Sequence, residues 1–514
     1  MLFPRPTSQR HTPLREVAAL VGAARPGPDP DVLGATLDSR AVRPGDLYAA
    51  LPGARAHGAD FAAAAAGSGA VAVLTDEDGL RRMTAAGVDL PALVVGDPRA
   101  VLGAAAARIY GTESAPLWLL GITGTNGKTT TAYLVHSALV ALGREPGLIG
   151  TVETRIGAER VGSVRTTPEA SELHALFAVM AERGLDGCVM EVSSHALAQH
   201  RVDGAVFDVA LFTNLSQDHL DFHDGMEDYF AAKASLFTPE RARRGLVCVD
   251  DAWGRRLAGS AGVPVQTIAT GDDTADWVIH PDDRDPAAFR LTGPDGVDLA
   301  LRSRLPGAFN VTNTAMAAAA LVLLGEDPAA VGDAVLADPH VPGRMERVVV
   351  DGVAVQPLAV VDYAHTPDAI GAALRALRPT TPGRLVCVTG AGGDRDRDKR
   401  RAMGAAAAEV ADLVVVTDDN PRSEDPAAIR AAVLEGVESV RASGREVAVT
   451  EIGDRRQAIR EAVAAAWPDG ADAAVAVVGK GHETGQDVGG VVHPFDDRDE
   501  LRAALRRAAE AVPR

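Results

Sequence analysis

Short apolar runs set the rhythm of this chain. Residues 117–122, 187–192, 208–212 and 246–249 are each mostly apolar, and each gives way to polar or glycine-rich residues. Runs of this length predict strands buried on both faces. Between them the apolar period changes to that of a helix. Leu134, Val135, Ala138, Leu139 and Leu142 fall on one face, and Gly143 supplies a stop. The alternation resumes at 359–361, 385–389, 413–417 and 474–478, and a sparser version at 71–74 and 93–95 precedes it among alanine-rich segments. Strands alternating with helices predict largely parallel sheets. Residues 112–116 and 339–343 read as linkers, which divides the chain into 1–112, 113–342 and 343–514.

The first run of the middle region ends in Gly124-Thr-Asn-Gly-Lys-Thr, with a helical pattern directly behind it. Strand, glycine loop, Lys-Thr and helix is an arrangement for holding a nucleoside triphosphate. Glycines admit backbone N–H groups to the phosphates, and the helix N-terminus adds partial positive charge. Lys128 adds a full charge, and Thr129 offers a hydroxyl to Mg²⁺. The general phosphate-loop pattern places a glycine at 122, where this chain has Ile122, so the loop is a shorter variant. The fold class expected is α/β in three domains. A smaller N-terminal α/β domain precedes a central parallel sheet of the P-loop ATPase type and a C-terminal Rossmann-like domain.

A length of 514 residues accommodates three domains. The formal charge of −19 argues against general nucleic-acid binding, so an anionic substrate needs a local basic pocket. Cys188, Cys248 and Cys387 are far apart and form no CxxC pair, which fits a reducing compartment without disulfide or zinc framework. No apolar signal-like or membrane-spanning stretch is visible. The expectation is a cytoplasmic monomer with no membrane insertion.

Ligands in open α/β sheets gather at the carboxyl ends of strands. Glu191 ends one strand, and Asn214-Leu-Ser-Gln-Asp-His follows another, so Glu191 and His219 are placed to meet the phosphate loop and hold Mg²⁺. Lys233 reads by pattern as a solvated or snorkelling helix lysine. Three loops follow strands of the last region: Gly390-Ala-Gly-Gly-Asp-Arg, Asp418-Asp-Asn-Pro-Arg and Gly479-Lys-Gly-His-Glu. Arg395 and Arg422 suit a carboxylate, and Asp419 and Glu483 an ammonium, so a pocket of both signs suits an amino acid. Arg397, Lys399 and Arg401 read as charged turn residues.

These pieces, in order, resemble the Mur ligases, ATP-dependent amide-forming enzymes of bacterial cell-wall synthesis. The match includes Leu37-Asp-Ser-Arg, the phosphate loop, Glu191-Val-Ser-Ser-His, Asn214-Leu-Ser-Gln-Asp-His-Leu-Asp and Gly307-Ala-Phe-Asn-Val-Thr-Asn. It continues through Gly343-Arg-Met-Glu, Asp362-Tyr-Ala-His-Thr-Pro, Asp419-Asn-Pro-Arg and Gly479-Lys-Gly-His-Glu. The resemblance implies ATP contacts from Gly124, Thr125, Asn126, Gly127, Lys128, Thr129 and Thr130, with Asn313, Arg344 and Asp362 around adenine and ribose. It implies that Lys233 becomes a carbamate, and that Thr129, Glu191, His219 and Lys233 serve two Mg²⁺ ions. Lys128, Lys233, Glu191 and His219 form the implied catalytic set. Leu37, Ser39, Thr166, Thr167, Ser193, Gln199 and Arg201 match positions that bind a UDP-sugar-dipeptide. One departure is Ala54-Arg55-Ala56, where His-Gln-Ala is common near the uridine.

In the same terms Arg395, Asp419, Asn420, Pro421, Arg422, Gly479 and Glu483 form a diaminopimelate site. The Asp-Asn-Pro-Arg form resembles the one that selects diaminopimelate over lysine, whose missing carboxylate leaves a guanidinium unpaired. The implied reaction joins diaminopimelate to the D-Glu γ-carboxylate of UDP-MurNAc-L-Ala-D-Glu through an acyl phosphate. The lysine-adding form is the first alternative, discriminated by residue 422. A folylpolyglutamate synthase-like ligase is a more distant one, against which the N-terminal Leu37-Asp-Ser-Arg argues. A nucleotide switch without ligation is the reading from a different class.

Overall fold

The computed structural model describes residues 3–24, 27–53, 55–163, 165–337 and 339–511. Ala54 lies outside the described residues, so the departure noted near the uridine is described only from Arg55 onward.

The central sheet is built around Trp118–Thr123. Gly187–Glu191 pairs with one side of it and Val209–Phe212 with the other, both parallel. Pro146–Ile149 continues one flank, and Gly245–Cys248, Val265–Thr270 and Trp277–Pro281 continue the other, again parallel. The helices Lys128–Ala141 and Ala308–Leu324 cover one face through Leu134, Val135, Ala315 and Leu321. Leu173, Phe177, Tyr229 and Phe237 pack on the other. With both faces buried the strands need apolar residues at every position, which is why they read as continuous runs. The expected strands appear within one residue of their predicted bounds.

Antiparallel strands were not expected and are present. Glu153–Ile156 with Glu159–Gly162 extends one edge, and Ala288–Thr292 with Asp298–Arg302 extends the other, completing eleven strands. Asp298–Arg302 alternates exposed and buried residues, so it offers no apolar run to read.

The C-terminal sheet runs Glu346–Val348, Leu358–Asp362, Ala474–Val478, Leu385–Thr389, Leu413–Val416, Ala448–Glu451. Only the first pairing is antiparallel. The chain passes from Leu358–Asp362 to Leu385–Thr389, and Ala474–Val478 later fills the place between them. The three charged loops therefore leave neighbouring strands at one edge. A smaller four-stranded parallel sheet, Gly34–Thr36, Asp46–Ala49, Ala72–Thr75 and Ala92–Val94, occupies the N-terminal region.

Two close contacts fix the linkers. Buried His174 has Nδ1 2.7 Å from Thr112 Oγ1 and Nε2 3.0 Å from the Asp203 carbonyl. Gly343 has φ +64°, and a Cβ there would lie 2.0 Å from His482 N. Only glycine permits both that left-handed turn and that approach. Among the described residues no helix is long and apolar enough to cross a membrane. All three cysteines are free and buried.

Candidate active site

The phosphate loop folds onto its own carbonyls. Lys128, at the start of its helix, donates to Gly124 O at 2.8 Å and Thr125 O at 2.9 Å. Burial holds its ammonium below the ordinary lysine range, against the pull of Glu191 and Asp218. Gly127 has φ +88°, and a Cβ there would meet Asn313 Oδ1 at 2.5 Å, so glycine seats the loop on the helix Ala308–Leu324. Asn126 N donates to Asn214 Oδ1 at 2.9 Å, and Thr125 N to Asn214 O at 2.9 Å.

Glu191 is buried at the end of its strand. Its Oε2 accepts from Thr129 Oγ1 at 2.8 Å and Thr151 Oγ1 at 3.1 Å, and its Oε1 from Thr151 N at 2.8 Å. Arg344, from the C-terminal region, donates to Thr129 Oγ1 at 3.0 Å and lies 4.3 Å from the Tyr363 ring centre. The nucleotide end of the central sheet is therefore closed by a residue of the next domain. Asp362 accepts from Met345 N at 2.6 Å and Ala364 N at 2.7 Å, and burial pushes its carboxyl up.

Lys233 departs from its pattern reading as a solvated lysine. It is 1 % exposed. Its Nζ donates to Gly124 O at 2.8 Å, the same carbonyl Lys128 uses, and sits 4.6 Å from the Tyr229 ring centre. The helix Met226–Ala234 lies under the phosphate loop, so a residue that looks solvated along the chain points into that loop. Burial first, and the charge of Lys128 second, hold its ammonium well below the ordinary lysine range.

Lys399 is a correction too. Read as a charged turn residue, it is buried, and its Nζ pairs with buried Asp218 Oδ1 at 3.0 Å. That ion pair crosses from the C-terminal domain to the central one. Burial alone would raise Asp218, but His365 and Lys399 hold its carboxyl well below the usual range. Arg397 and Arg401 are exposed, but Arg401 lies in the helix Lys399–Ala408 rather than in a turn. His219 adopts φ +56°, a strained conformation for a non-glycine residue, within a group of rings formed by His195, Phe222, His223 and Tyr229. Burial lowers His219 to about 3, with Lys128 and Lys233 adding to the effect, which favours a neutral imidazole.

Thr125 to Thr130, Glu191, His219 and Lys233 line one cavity of about 480 Å³ with Asn313, Arg344 and Asp362. Among the described residues no three His, Cys, Asp or Glu side chains form a ready metal cage. The oxygen donors present, Thr129 and Glu191, are hard ligands of the kind Mg²⁺ takes. Lys233 fits beside them only with an added oxygen.

Thr166 and Ser193 line the same cavity. Thr167 Oγ1 donates to Glu191 O at 2.9 Å and accepts from Ser193 N at 3.1 Å. Arg201 Nη2 donates to Gln199 Oε1 at 2.6 Å, and Arg201 Nη1 to Thr167 O at 3.3 Å. These five form a continuous patch beside Glu191. Leu37 and Ser39 belong to the N-terminal sheet region and do not line that cavity.

The C-terminal loops make a second cluster. Arg422 sits at φ +52°, fixed by Arg422 N to Asp487 O at 3.0 Å and Gly489 N to Arg422 O at 2.7 Å. Its guanidinium donates to Gly393 O at 2.6 Å. Gly392 lies between the arginines: a Cβ there would be 2.9 Å from Arg422 Nη1 and 3.7 Å from Arg395 Cγ. Arg395 is exposed and, among the described residues, bonds only to Asp394 O at 3.1 Å. Asn420 Nδ2 donates to Glu483 Oε2 at 2.8 Å. Sequence reasoning missed Lys480, fully buried, which donates to Asn420 Oδ1, Glu483 Oε2 and Gly485 O at 3.1, 3.0 and 2.6 Å. It also missed buried Arg400, which grips Glu424 Oε1 at 2.8 Å and Gly392 O at 3.2 Å, tying two of the loops together. Lys480 stood inside a quoted motif and was legible there. Arg400 lay in a run of charges with nothing to distinguish it.

Comparison with known proteins matches the architecture. Three family models fit the chain: "Mur ligase family, catalytic domain" over residues 32–110, "Mur ligase middle domain" over 122–321, and "Mur ligase, glutamate ligase domain" over 343–481. A Streptomyces coelicolor protein named UDP-N-acetylmuramoyl-L-alanyl-D-glutamate–2,6-diaminopimelate ligase is 57 % identical over 509 residues, 98 % of each chain. A solved structure of a ligase of that name superposes with a TM-score of 0.66 at 32 % identity, covering 97 % of this chain and 99 % of the other. Mycobacterium tuberculosis folylpolyglutamate synthase complexed with ADP shares the fold at a TM-score of 0.58 and 21 % identity, over 81 % of this chain and 96 % of its own. The chain belongs to the Mur ligase family.

Proposed function

We propose that this chain uses ATP to join diaminopimelate to the γ-carboxylate of D-Glu in UDP-MurNAc-L-Ala-D-Glu, extending a peptidoglycan precursor. The observation that carries the reading is the turn of Lys128 and Lys233 onto one carbonyl, Gly124 O, beside the Glu191 carboxylate. Two ammonium groups held so close repel each other. Binding an anion at Lys128 and converting Lys233 to an anion both relieve that repulsion. A neutral Lys233 amine adds to CO₂ to give a carbamate and releases one proton, and burial favours the neutral amine. Thr129, Glu191, His219 and carbamylated Lys233 would then hold Mg²⁺, which neutralises charge on the transferring phosphoryl group. The choice of substrates rests on the similarity to ligases named for them.

In the reaction a γ-carboxylate oxygen attacks the γ-phosphorus of ATP and ADP leaves. The amine of diaminopimelate then attacks the acyl carbon, loses a proton, and inorganic phosphate departs. Lys128 orients the phosphates, and Arg344 reaches across from the C-terminal domain to Thr129. Residues 1–112 serve the UDP moiety with Leu37 and Ser39. Residues 113–342 hold ATP and the dipeptide end through Thr166, Thr167, Ser193, Gln199 and Arg201. Residues 343–514 hold diaminopimelate through Arg395, Asp419, Asn420, Pro421, Arg422, Gly479 and Glu483. The protein works as a cytoplasmic monomer.

The test is phosphate release with ATP alone, with the UDP-sugar-dipeptide added, and with diaminopimelate added last. Release is expected only with all three. Release with ATP alone, indifferent to the other two, would make the chain a nucleotide switch, and equal turnover of lysine would remove the diaminopimelate assignment.

A further inference from the structure

We propose that Arg455, locked to Asp497 beneath the amino-acid pocket, is a positioning residue that keeps Asp419 ready for a substrate ammonium and pins the start of the Gly479 loop. The inference rests on reading that pocket as the diaminopimelate site.

Arg455 and Asp497 are both fully buried. Arg455 Nε donates to Asp497 Oδ1 at 2.8 Å and Nη2 to Oδ2 at 2.7 Å. Nη2 also donates to Val478 O at 3.0 Å, the last residue before Gly479. Local structure does not ask for an arginine here. Arg455 opens the helix Arg455–Ala466, where the dipole disfavours a cation, and Asp454 already caps that helix through Gln457 N at 2.8 Å. Stability does not ask for it either, because well-packed apolar residues often replace a buried ion pair without loss. Its Nη1 is buried and has no hydrogen-bond partner among the described residues, so the guanidinium is not placed to satisfy itself.

The guanidinium instead faces Asp419. A Cβ built on Gly479 would lie 2.4 Å from Asp419 Oδ2 and 4.0 Å from Arg455 Nη2. Glycine at 479 lets the carboxylate and the guanidinium approach from two sides. Asp419 is buried, and none of the described residues donates a hydrogen bond to its carboxylate. Glu483 nearby differs, because its Oε2 is taken by Asn420 and Lys480. The charged groups facing Asp419 are Lys480, Arg455, Glu483 and Asp497. Burial pushes its carboxyl up, and the two carboxylates add to that. Lys480 and Arg455 oppose it. An ammonium is received by the ionised carboxylate only, so removing Arg455 leaves a larger protonated fraction at any given pH.

The experiment compares the wild-type protein with the double variant Arg455→Met/Asp497→Leu, chosen because it removes both charges together. Steady-state phosphate release gives KM for diaminopimelate, ATP and the UDP-sugar-dipeptide across neutral and mildly acid pH, and a thermal melt checks folding. The expected result is a KM for diaminopimelate raised a few-fold at mildly acid pH and less at neutral pH, because Arg455 acts on Asp419 more strongly than the Asp497 carboxylate removed with it. The rise should steepen toward acid, with the other two KM values unmoved. A folded double variant with wild-type KM and pH profile overturns the inference, as does an equal change in all three KM values. If the double variant does not fold, Arg455→Lys decides. It keeps the charge but lacks the fork that holds Asp497 and Val478 at once. KM for diaminopimelate should then rise a few-fold with an unchanged pH profile, and an unmoved KM overturns the proposal. Wild-type protein without diaminopimelate-dependent release would overturn the pocket's reading as well.

Discussion

The phosphate-loop cavity and the diaminopimelate pocket both sit at the carboxyl ends of parallel strands, yet they handle charge in opposite ways. In the first, Lys128 and Lys233 share one neutral carbonyl, and among the described residues neither has a carboxylate within hydrogen-bond reach. In the second, charge sits against charge: Lys480 on Glu483, Arg400 on Glu424 and Arg455 on Asp497. A polyanion such as ATP brings enough negative charge to offset unpaired cations. A zwitterion brings both signs, so its pocket must keep both in fixed places. The ligand's charge is written into how each site is wired.

The largest expected effect tests the unpaired side. Lys233→Ala relieves the crowding at Gly124 O but removes the group proposed to supply the missing anionic oxygen. Ligation should fall about 10³-fold, ~4 kcal/mol of lost transition-state stabilisation, and a small carboxylate such as formate should restore part of it. Phosphate release measures both. Wild-type turnover in this variant would remove the carbamate and with it the contrast between the two regions.

The next effect concerns the join between them. Lys399→Met leaves Asp218 buried with His219 and His365 but without its ammonium. Removing one partner of a buried pair costs about 3 kcal/mol. A thermal melt should show this loss, and Asp218→Asn combined with Lys399→Met should recover part of it. If Lys399→Met melts like the wild type, the pair carries no load between the domains.

That pair also shows where the sequence stops being legible. Strands such as Gly187–Glu191 were readable because burial on both faces forces an unbroken apolar run. The phosphate loop was readable because its chemistry is contiguous. Lys399 looked solvated because it stands in a dense run of charges, and its partner Asp218 is 181 residues away. Lys233 was hidden in the same way: a helix face is known only when the surface it packs on is known. Arg455 finds Asp497 42 residues later, and neither residue belongs to a motif. Contiguous motifs report what touches the ligand. The charges that hold those motifs in place are recruited through tertiary contacts and leave no local pattern.

A smaller effect is expected from Arg422→Ala. Arg422 is held in a left-handed conformation by two backbone bonds to the hairpin Gly485–Val488 and Val491–Pro494, with its guanidinium on Gly393 O. A substrate carboxylate at the far end of diaminopimelate offers a charge-assisted partner in exchange. Losing it should reduce the preference for diaminopimelate over lysine by about 2 kcal/mol, roughly thirtyfold in the ratio of kcat/KM. Alanine also inherits the left-handed backbone, so Arg422→Gly serves as control. The same loss of selectivity in both variants assigns it to the guanidinium. A loss confined to alanine assigns it to backbone strain.

The smallest effect needs no mutation. Raising ionic strength from about 0.05 M to about 0.5 M shortens the reach of an exposed charge from ~14 Å to ~4 Å. ATP approaches a cavity in which Lys128 has no carboxylate partner among the described residues, inside a chain of formal charge −19, so its capture depends on a local field that salt weakens. Diaminopimelate approaches a pocket holding charges of both signs and carries no net charge, so the field acts on it weakly at any salt. KM for ATP should rise about threefold over this range, while KM for diaminopimelate stays within about 1.5-fold, each measured with the other substrates saturating. If both rise together, the two regions do not differ in net field. The distinction between a cavity wired for a polyanion and a pocket wired for a zwitterion would then have to rest on short-range hydrogen bonds alone.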